Sequence, residues 1–507
     1  MKFFQVHNVS ITEREILLDQ MPGKLITVSN RLPYRLSVLR SKLVTTLSVG
    51  GLATALCSYF ENKNIVESEF ESLHWIGVSD ISKKSFDNVS SEEVVVKDNI
   101  TMHPVFFNEK MQDKFYDGFC NSVLWPLFLY FPSFVVYKQD YFDEYINANK
   151  NICIKILEVY QPGDTIWVHD YHWMLLPTLL RQALPHAKIG FFLHIPFPSF
   201  ELFRLLPKPW RTQLIEGVIG ADVIGFQTED FAKHFIDSVH YILPHLCDDH
   251  GAIKLMDRVS MVRSFSISID YEKFSLASRL PENIKKVKHM RERLGVNTTI
   301  LSVDRLDYTK AIFNRLESFE LFLEQNPEWR EKVTYVLLLV PTRESIIKYK
   351  ETKLQVESLI SRINGKYGTL GWTPIVYQYK SVEFKEVVAL YGAADIALIV
   401  PSRDGMNLVA KEYIACRQSS DGVLILSETA GASNELSEAI LVNANDRQEI
   451  ADSILMAICM TTAEKGTRMR KMQNHLRKHT VLTWASEFLQ SLNTVNPNKE
   501  LEYASSY

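Results

Sequence analysis

The sequence predicts a doubly wound α/β protein with two domains. Three observations carry this. At 507 residues the chain exceeds what one hydrophobic core usually organises. Short runs rich in Val, Ile, Leu and Phe alternate with longer amphipathic stretches over nearly the whole length. Most of those runs lack an in–out alternation, as expected where both faces of a parallel sheet are covered.

In chain order, strands are predicted at residues 24–30 (KLITVSN), 164–170 (DTIWVHD), 188–194 (KIGFFLH) and 222–228 (DVIGFQT). A second series follows at 299–305, 333–341, 374–379, 395–401, 422–428 and 439–444. Helical stretches lie between them; over residues 311–327, Phe313, Leu316, Phe319 and Phe322 recur at helical spacing. Residues 79–100 read as a surface insertion and 280–299 as a polar, irregular region. A boundary near 265–270 gives a first domain over 1–268, a second over 269–485 and a frayed tail over 486–507.

Composition narrows the function classes. Hydrophobic residues make up 46% and charged residues 23%, as in a soluble globular protein. A formal net charge of -4 argues against nucleic acid or an acidic membrane as the main partner. The six cysteines form no C-x-x-C pair and no metal spacing, so they read as buried thiols of a reducing compartment. Glu13, Arg14 and Glu15 interrupt the start before any signal-length apolar core forms. No apolar run reaches the roughly 18 residues that span a bilayer. The expected location is the cytoplasm.

The informative pattern is where polar residues fall. Arg31 follows the first strand; Asp170 and His172 follow "IWVH"; His194 ends "GFFL". Arg305 and Asp307 follow "ILSV", with Lys310 next; Arg343 follows "LLLVPT", and Asp404 follows "ALIVPSR". In an open parallel sheet these positions share the carboxyl edge, where ligands bind. Each residue alone has a plainer reading. Asp404 suits a helix cap, His194 a core histidine, and Arg305 or Lys310 a solvated ion pair. Trp75, Tyr116 and Trp125 suit packing, and Gly50 and Gly51 a turn. Their joint occurrence favours a site.

The segments carrying these residues run in order from about residue 24 to 485: VSNRLP, SVGGLATAL, YDGFCNSVLWPLF, WVHDYHWMLLP, GFFLHIPFPS, SVDRLDYTK, RDGMNLVAKEYIAC and GVLILSETAGA. Together they closely resemble the trehalose-6-phosphate synthases, glycosyltransferase family 20. The resemblance implies a GT-B fold: two facing Rossmann-like domains, with the active site in the cleft between them. It implies transfer of glucose from UDP-glucose to glucose 6-phosphate with retention, by front-face substitution. Arg305 and Lys310 would neutralise the diphosphate. Asp404, Gly405, Met406, Asn407, Leu408 and Val409 would hold donor sugar and phosphate, and Glu412 the ribose. His194 would contact the donor sugar, and the loop at Gly51 would close over both substrates. Arg31, Trp75, Tyr116, Trp125, Asp170 and Arg343 would form the acceptor site. The residues implied in catalysis are Asp170, His194, Arg305, Lys310 and Asp404. No metal or other cofactor is expected beyond the co-substrate UDP-glucose; a homo-oligomer or a synthase complex remains open.

Three positions depart from the family pattern. Ser268 and Ala311 stand where glycine is usual, and Thr429 where phenylalanine is usual. They leave open how tightly donor is bound. No D-x-D-x-T motif follows residue 485, so a synthase without phosphatase activity is expected. Three alternatives stay open: a catalytically weak regulatory homologue, a transferase using another nucleotide donor or acceptor, and a phosphorylase-like enzyme with pyridoxal phosphate.

Overall fold

The computed structural model describes residues 22–48, 50–62, 69–90, 92–243, 251–255, 258–343, 346–419 and 421–494. The chain divides into two compact units, Met1–Phe265 with Ala485–Tyr507, and Ser266–Trp484. In the first, the strands are β1 (Leu25–Arg31), β2 (Tyr34–Leu39), β3 (Lys42–Leu47), β4 (Leu73–Val78), β5 (Val95–Lys97), β6 (Ile100–Val105), β7 (Thr165–His169), β8 (Lys188–Phe192), β9 (Val223–Phe226), β10 (Ala252–Lys254) and β11 (Val259–Ser264). In the second they are β12 (Thr298–Arg305), β13 (Val333–Val340), β14 (Ile375–Tyr379), β15 (Ile396–Ile399), β16 (Val423–Ser427) and β17 (Ile440–Val442).

Nine strands of the first unit form one sheet, ordered β10-β11-β9-β8-β7-β1-β4-β6-β5. It is parallel except at its edges, where β10 and β5 run antiparallel to their neighbours. β2 and β3 form a separate hairpin. The second unit is a six-stranded sheet ordered β14-β13-β12-β15-β16-β17, parallel throughout. Its central strands are buried on both faces; seven of the eight residues of β13 (VTYVLLLV) are buried. That explains the uninterrupted apolar runs. Helix Ile312–Gln325 packs Leu316, Phe319, Phe322 and Leu323 into the same core.

All ten predicted strands are present. Among the described residues seven further strands, β4 and β6 among them, went unpredicted. β4 (LHWIGV) and β6 (ITMHPV) carry histidines, and β6 a proline, which blunt the strand signal. The reading of 79–100 as an insertion also hid helix Lys83–Asp87 and strand β5.

Two expectations are corrected outright. Residues 280–299 are not irregular: Pro281–Leu294 is a helix, with Pro at its start and Gly295 closing it at φ 61°. Arg291 and Arg293 in its last turn complement the helix dipole. Its one fully buried residue is Asn283; Ile284, Val287, Met290 and Leu294 recur at helical spacing, but the many charged residues between them masked the pattern. Residues 486–494, placed in a frayed tail, complete helix Val481–Thr494. Phe488, Leu489 and Leu492 are at most 2% exposed there. Residues 495–507 lie outside the described residues. Cys57, Cys120, Cys153 and Cys416 are buried as expected; Cys459 is exposed. Cys247 lies outside the described residues.

Candidate active site

Numbered within the second unit, its strands run 3-2-1-4-5-6. The order reverses between β12 and β15, and a crevice opens at the carboxyl ends of the strands flanking such a reversal. The loops after these two strands carry the expected donor residues. After β12, the buried Asp307 carboxylate accepts from the Thr309 N–H at 3.0 Å and its hydroxyl at 2.9 Å, fixing a tight turn. That turn presents Lys310, whose Nζ lies 2.5 Å from Asp404 Oδ2 in the loop after β15. The backbone N–H of Ser402 donates to Thr309 O at 2.9 Å, so the two loops are also joined through main chain. Asn407 sits in the left-handed region at φ 79°. Its Nδ2 donates to Asp404 Oδ2 at 3.0 Å, and its Oδ1 caps helix Leu408–Cys416 by accepting from Ala410. The start of that helix offers unsatisfied N–H groups to an anion. Further along, Glu412 Oε2 accepts from Tyr391 Oη at 2.7 Å, and burial pushes its carboxyl pKa up.

The first unit repeats the plan. Its parallel strands reverse direction of growth between β1 and β7. Arg31 ends β1 and is exposed; its Nη2 donates to Tyr116 Oη at 3.3 Å. Tyr116 stands on a π-helical segment, Gln112–Leu124, a geometry often found at functional sites. Its ring stacks on His172 at 5.9 Å and 10°. Asp170 directly follows β7 at φ 76°, a left-handed position strained for aspartate. Its N–H donates to Phe192 O at 2.7 Å, and its Oδ1 accepts from the His194 N–H at 3.3 Å. His194 ring nitrogens lie 3.1 Å from His169 Nδ1 and 3.3 Å from Gln227 Nε2. Burial holds the His194 pKa down at about 3.

Residues 23–494 match the family described as glycosyltransferase family 20. The chain belongs to glycosyltransferase family 20. A bifunctional trehalose-6-phosphate synthase/phosphatase of Thermoproteus tenax is 40% identical over 486 residues, 96% of this chain and 65% of that protein. An α,α-trehalose-phosphate synthase (UDP-forming) of Pichia angusta is 38% identical, over 93% of this chain and 99% of that one. The chain thus spans about two thirds of the first relative and nearly all of the second. Among solved structures, the Burkholderia xenovorans synthase with glucose 6-phosphate is 32% identical with a TM-score of 0.83, over 93% of this chain and 100% of that one. The E. coli protein with UDP-2-fluoroglucose is 31% identical with a TM-score of 0.82, over 94% and 100%. The two Rossmann-like units are those of a GT-B glycosyltransferase.

The structure gathers Arg305, Lys310, Asp404, Gly405, Met406, Asn407, Leu408, Val409 and Glu412 on the loops and helix at one sheet reversal. It gathers Arg31, Tyr116, Asp170 and His194 around the other. Gly51 opens helix Gly51–Phe60 and is exposed. Three of the expected acceptor residues, Trp75, Arg343 and Trp125, are held against protein partners. Trp75 is fully buried, and its indole N–H donates to Ser29 Oγ at 2.9 Å and Arg31 O at 3.2 Å. It is no exposed wall; it holds the end of β1 from behind. Arg343 is nearly buried at φ 48°, and its Nη1 reaches Asp307 Oδ2 at 3.0 Å and Tyr349 Oη at 2.6 Å. Through Nη1 it anchors the turn before Lys310. Burial pushes the Asp307 pKa up, but Arg343 and Arg305 outweigh this and hold it below the carboxylate range. Trp125 is buried against Tyr171.

Sequence reasoning missed His169, Gln227 and Tyr391, whose partners lie 21 to 33 residues away. The signal for His169 was present: an otherwise apolar strand ending in histidine. The departures also have local accounts. Ala311 adopts φ 45°, ψ 40°, where glycine is at ease. The Thr429 hydroxyl donates to Ser402 O at 2.8 Å and so ties the Asp404 loop in a way phenylalanine does not. The Ser268 hydroxyl is buried and has no protein partner among the described residues. Among the described residues no cluster of three or more His, Cys, Asp or Glu is arranged to hold a metal ion. No described helix is long and apolar enough to cross a membrane.

Proposed function

We propose that the chain transfers glucose from UDP-glucose to glucose 6-phosphate, releasing UDP and α,α-trehalose 6-phosphate. The observation that carries this is the Lys310–Asp404 contact at the reversal between β12 and β15. It sets a cation beside an acceptor of sugar hydroxyls, and Arg305 lies exposed at the same edge. These cations and the following helix start suit a sugar diphosphate. In the first unit, Arg31 and Tyr116 suit the phosphate of the acceptor, and Asp170 its ring hydroxyls. The relatives named as UDP-forming synthases, and those solved with glucose 6-phosphate or a UDP-glucose analogue, support the same assignment.

The step is front-face substitution with retention. The bond from the donor anomeric carbon to the diphosphate oxygen breaks while the acceptor oxygen bonds to the same face. The acceptor proton passes to the departing phosphate oxygen. His194 fits this reading, because a ring held neutral down to about pH 3 with both nitrogens bonded is no general acid. Catalysis comes from alignment and from charge stabilisation on the leaving UDP.

The test is to incubate the protein with both substrates, follow UDP release, and assign the product anomers by NMR. UDP in step with an α,α product supports the reading, and the rate should survive EDTA. No release with either substrate absent or present points instead to a regulatory homologue. Faster release from ADP-glucose or GDP-glucose would reassign the donor base.

A further inference from the structure

We infer that Arg315 is a positioning residue for donor binding, acting through Lys310. The inference rests on the donor role proposed above for Lys310. Arg315 lies on helix Ile312–Gln325, one turn past the Lys310 loop, and its side chain is 1% exposed. A guanidinium that deeply buried demands partners, and it has three. Nη2 pairs with Asp304 Oδ2 at 2.6 Å on β12. The same nitrogen donates to the backbone oxygen of Lys310 at 3.1 Å. Nη1 donates to Leu398 O on β15 at 3.2 Å.

These partners lie on the two strands that flank the reversal and on the loop between them and the donor. Ser302 Oγ also donates to Leu398 O, at 2.5 Å, so that carbonyl is held from both sides. Arg315 therefore locks β12, β15 and the Lys310 carbonyl into one frame. Asp304 and Arg305 are adjacent with opposite burial, so anchoring Asp304 inward also directs Arg305 outward. The planar fork serves separate acceptors at fixed angles, which a lysine ammonium does not reproduce. Ala311, in the left-handed region directly after Lys310, makes such anchoring necessary: the turn is strained and must be held from behind.

The test compares Arg315→Lys, Lys310→Ala and the double variant with the parent protein. UDP affinity is measured by calorimetry, and KM for each substrate where turnover persists. Arg315→Lys keeps the charge that Asp304 needs, so folding is retained. The expected result is UDP binding weakened about tenfold, with KM for glucose 6-phosphate unchanged. In the Lys310→Ala background, Arg315→Lys should cost less than about twofold more, because its effect passes through Lys310. Full additivity, or equal loss of both substrates, would assign Arg315 a merely structural role and overturn the inference. Unchanged UDP affinity in Arg315→Lys would overturn it as well. Failure of the parent protein to bind UDP would instead sink the proposed function.

Discussion

Ala311 is held at φ 45° between the Lys310 turn and the helix that follows it. A left-handed backbone costs an L-residue roughly 1–2 kcal/mol, while glycine forfeits roughly 0.5–1 kcal/mol in chain entropy. Ala311→Gly should therefore stabilise the second unit by about 0.5–1 kcal/mol and so raise its thermal midpoint. A thermal melt showing a lower midpoint would mean the turn tolerates alanine by contacts that glycine loses. At the neighbouring position, Lys310→Ala should lower kcat roughly 10²–10³-fold, the usual loss for one preorganised charge on a developing anion. KM for glucose 6-phosphate should stay within about twofold, since that substrate's phosphate is assigned to Arg31. A rise in that KM at constant kcat would move Lys310 to the acceptor. Both residues were legible in the sequence, Lys310 from its motif and Ala311 as a missing glycine. Arg315 was not. Its three partners come from a strand residue 11 positions before it, a turn beside it and a second strand 83 residues on. No local pattern announces such a convergence. The contact of Arg343 with Asp307 is hidden for the same reason, since its partner lies 36 residues away.

At the scale of elements, strands buried on both faces announced themselves and half-polar ones did not. β13 and β15 are nearly pure apolar runs, whereas β4 and β6 place His74 and His103 inside the sheet. These two imidazoles stack at 5.1 Å, with His74 Nδ1 2.8 Å from His103 Nε2. Burial, then His74, Lys155 and Lys24, pull the His103 pKa down to about 4. Burial and then Lys24 lower that of His74. Each therefore binds a proton less readily folded than unfolded, where the value is about 6.5. Their stabilising contribution is complete above that value and is lost as the pH falls toward about 4. Buried His169 and His194 add to the same slope. The melting temperature should drop steadily between about pH 6.5 and pH 4. His103→Gln, which keeps a hydrogen-bonding amide, should flatten that drop; an identical slope in the variant would remove this pair from the account.

At the scale of the whole molecule, the chain builds the same device twice: a parallel sheet whose order reverses, with charged residues on the loops at the reversal. Placing polar residues at strand ends was enough to find both, because a parallel sheet puts every carboxyl end on one edge. The chain's last described helix was not found, because nothing local says which unit a terminal helix serves. From Ala485 onward it belongs to the first unit. Phe488 stacks on Trp167 at 4.8 Å and 11°, and meets Phe192 and Phe265 edge-on. Gly190 on β8 and Gly225 on β9 make room for it; a Cβ there would lie 2.6 and 2.9 Å from its ring atoms. The ring thus fills a slot that two strands leave open by having no side chain. Phe488→Ala should empty that slot and destabilise the first unit by about 3–5 kcal/mol, the cost of a buried phenylalanine left as a cavity. Gly190→Ala should destabilise the same unit from the other side, by forcing the ring out. Together they should not add, because once the ring is gone the new methyl group has space. Calorimetry of the single and double variants checks this: additive losses would mean that the sheet, rather than Phe488, is what confines Gly190.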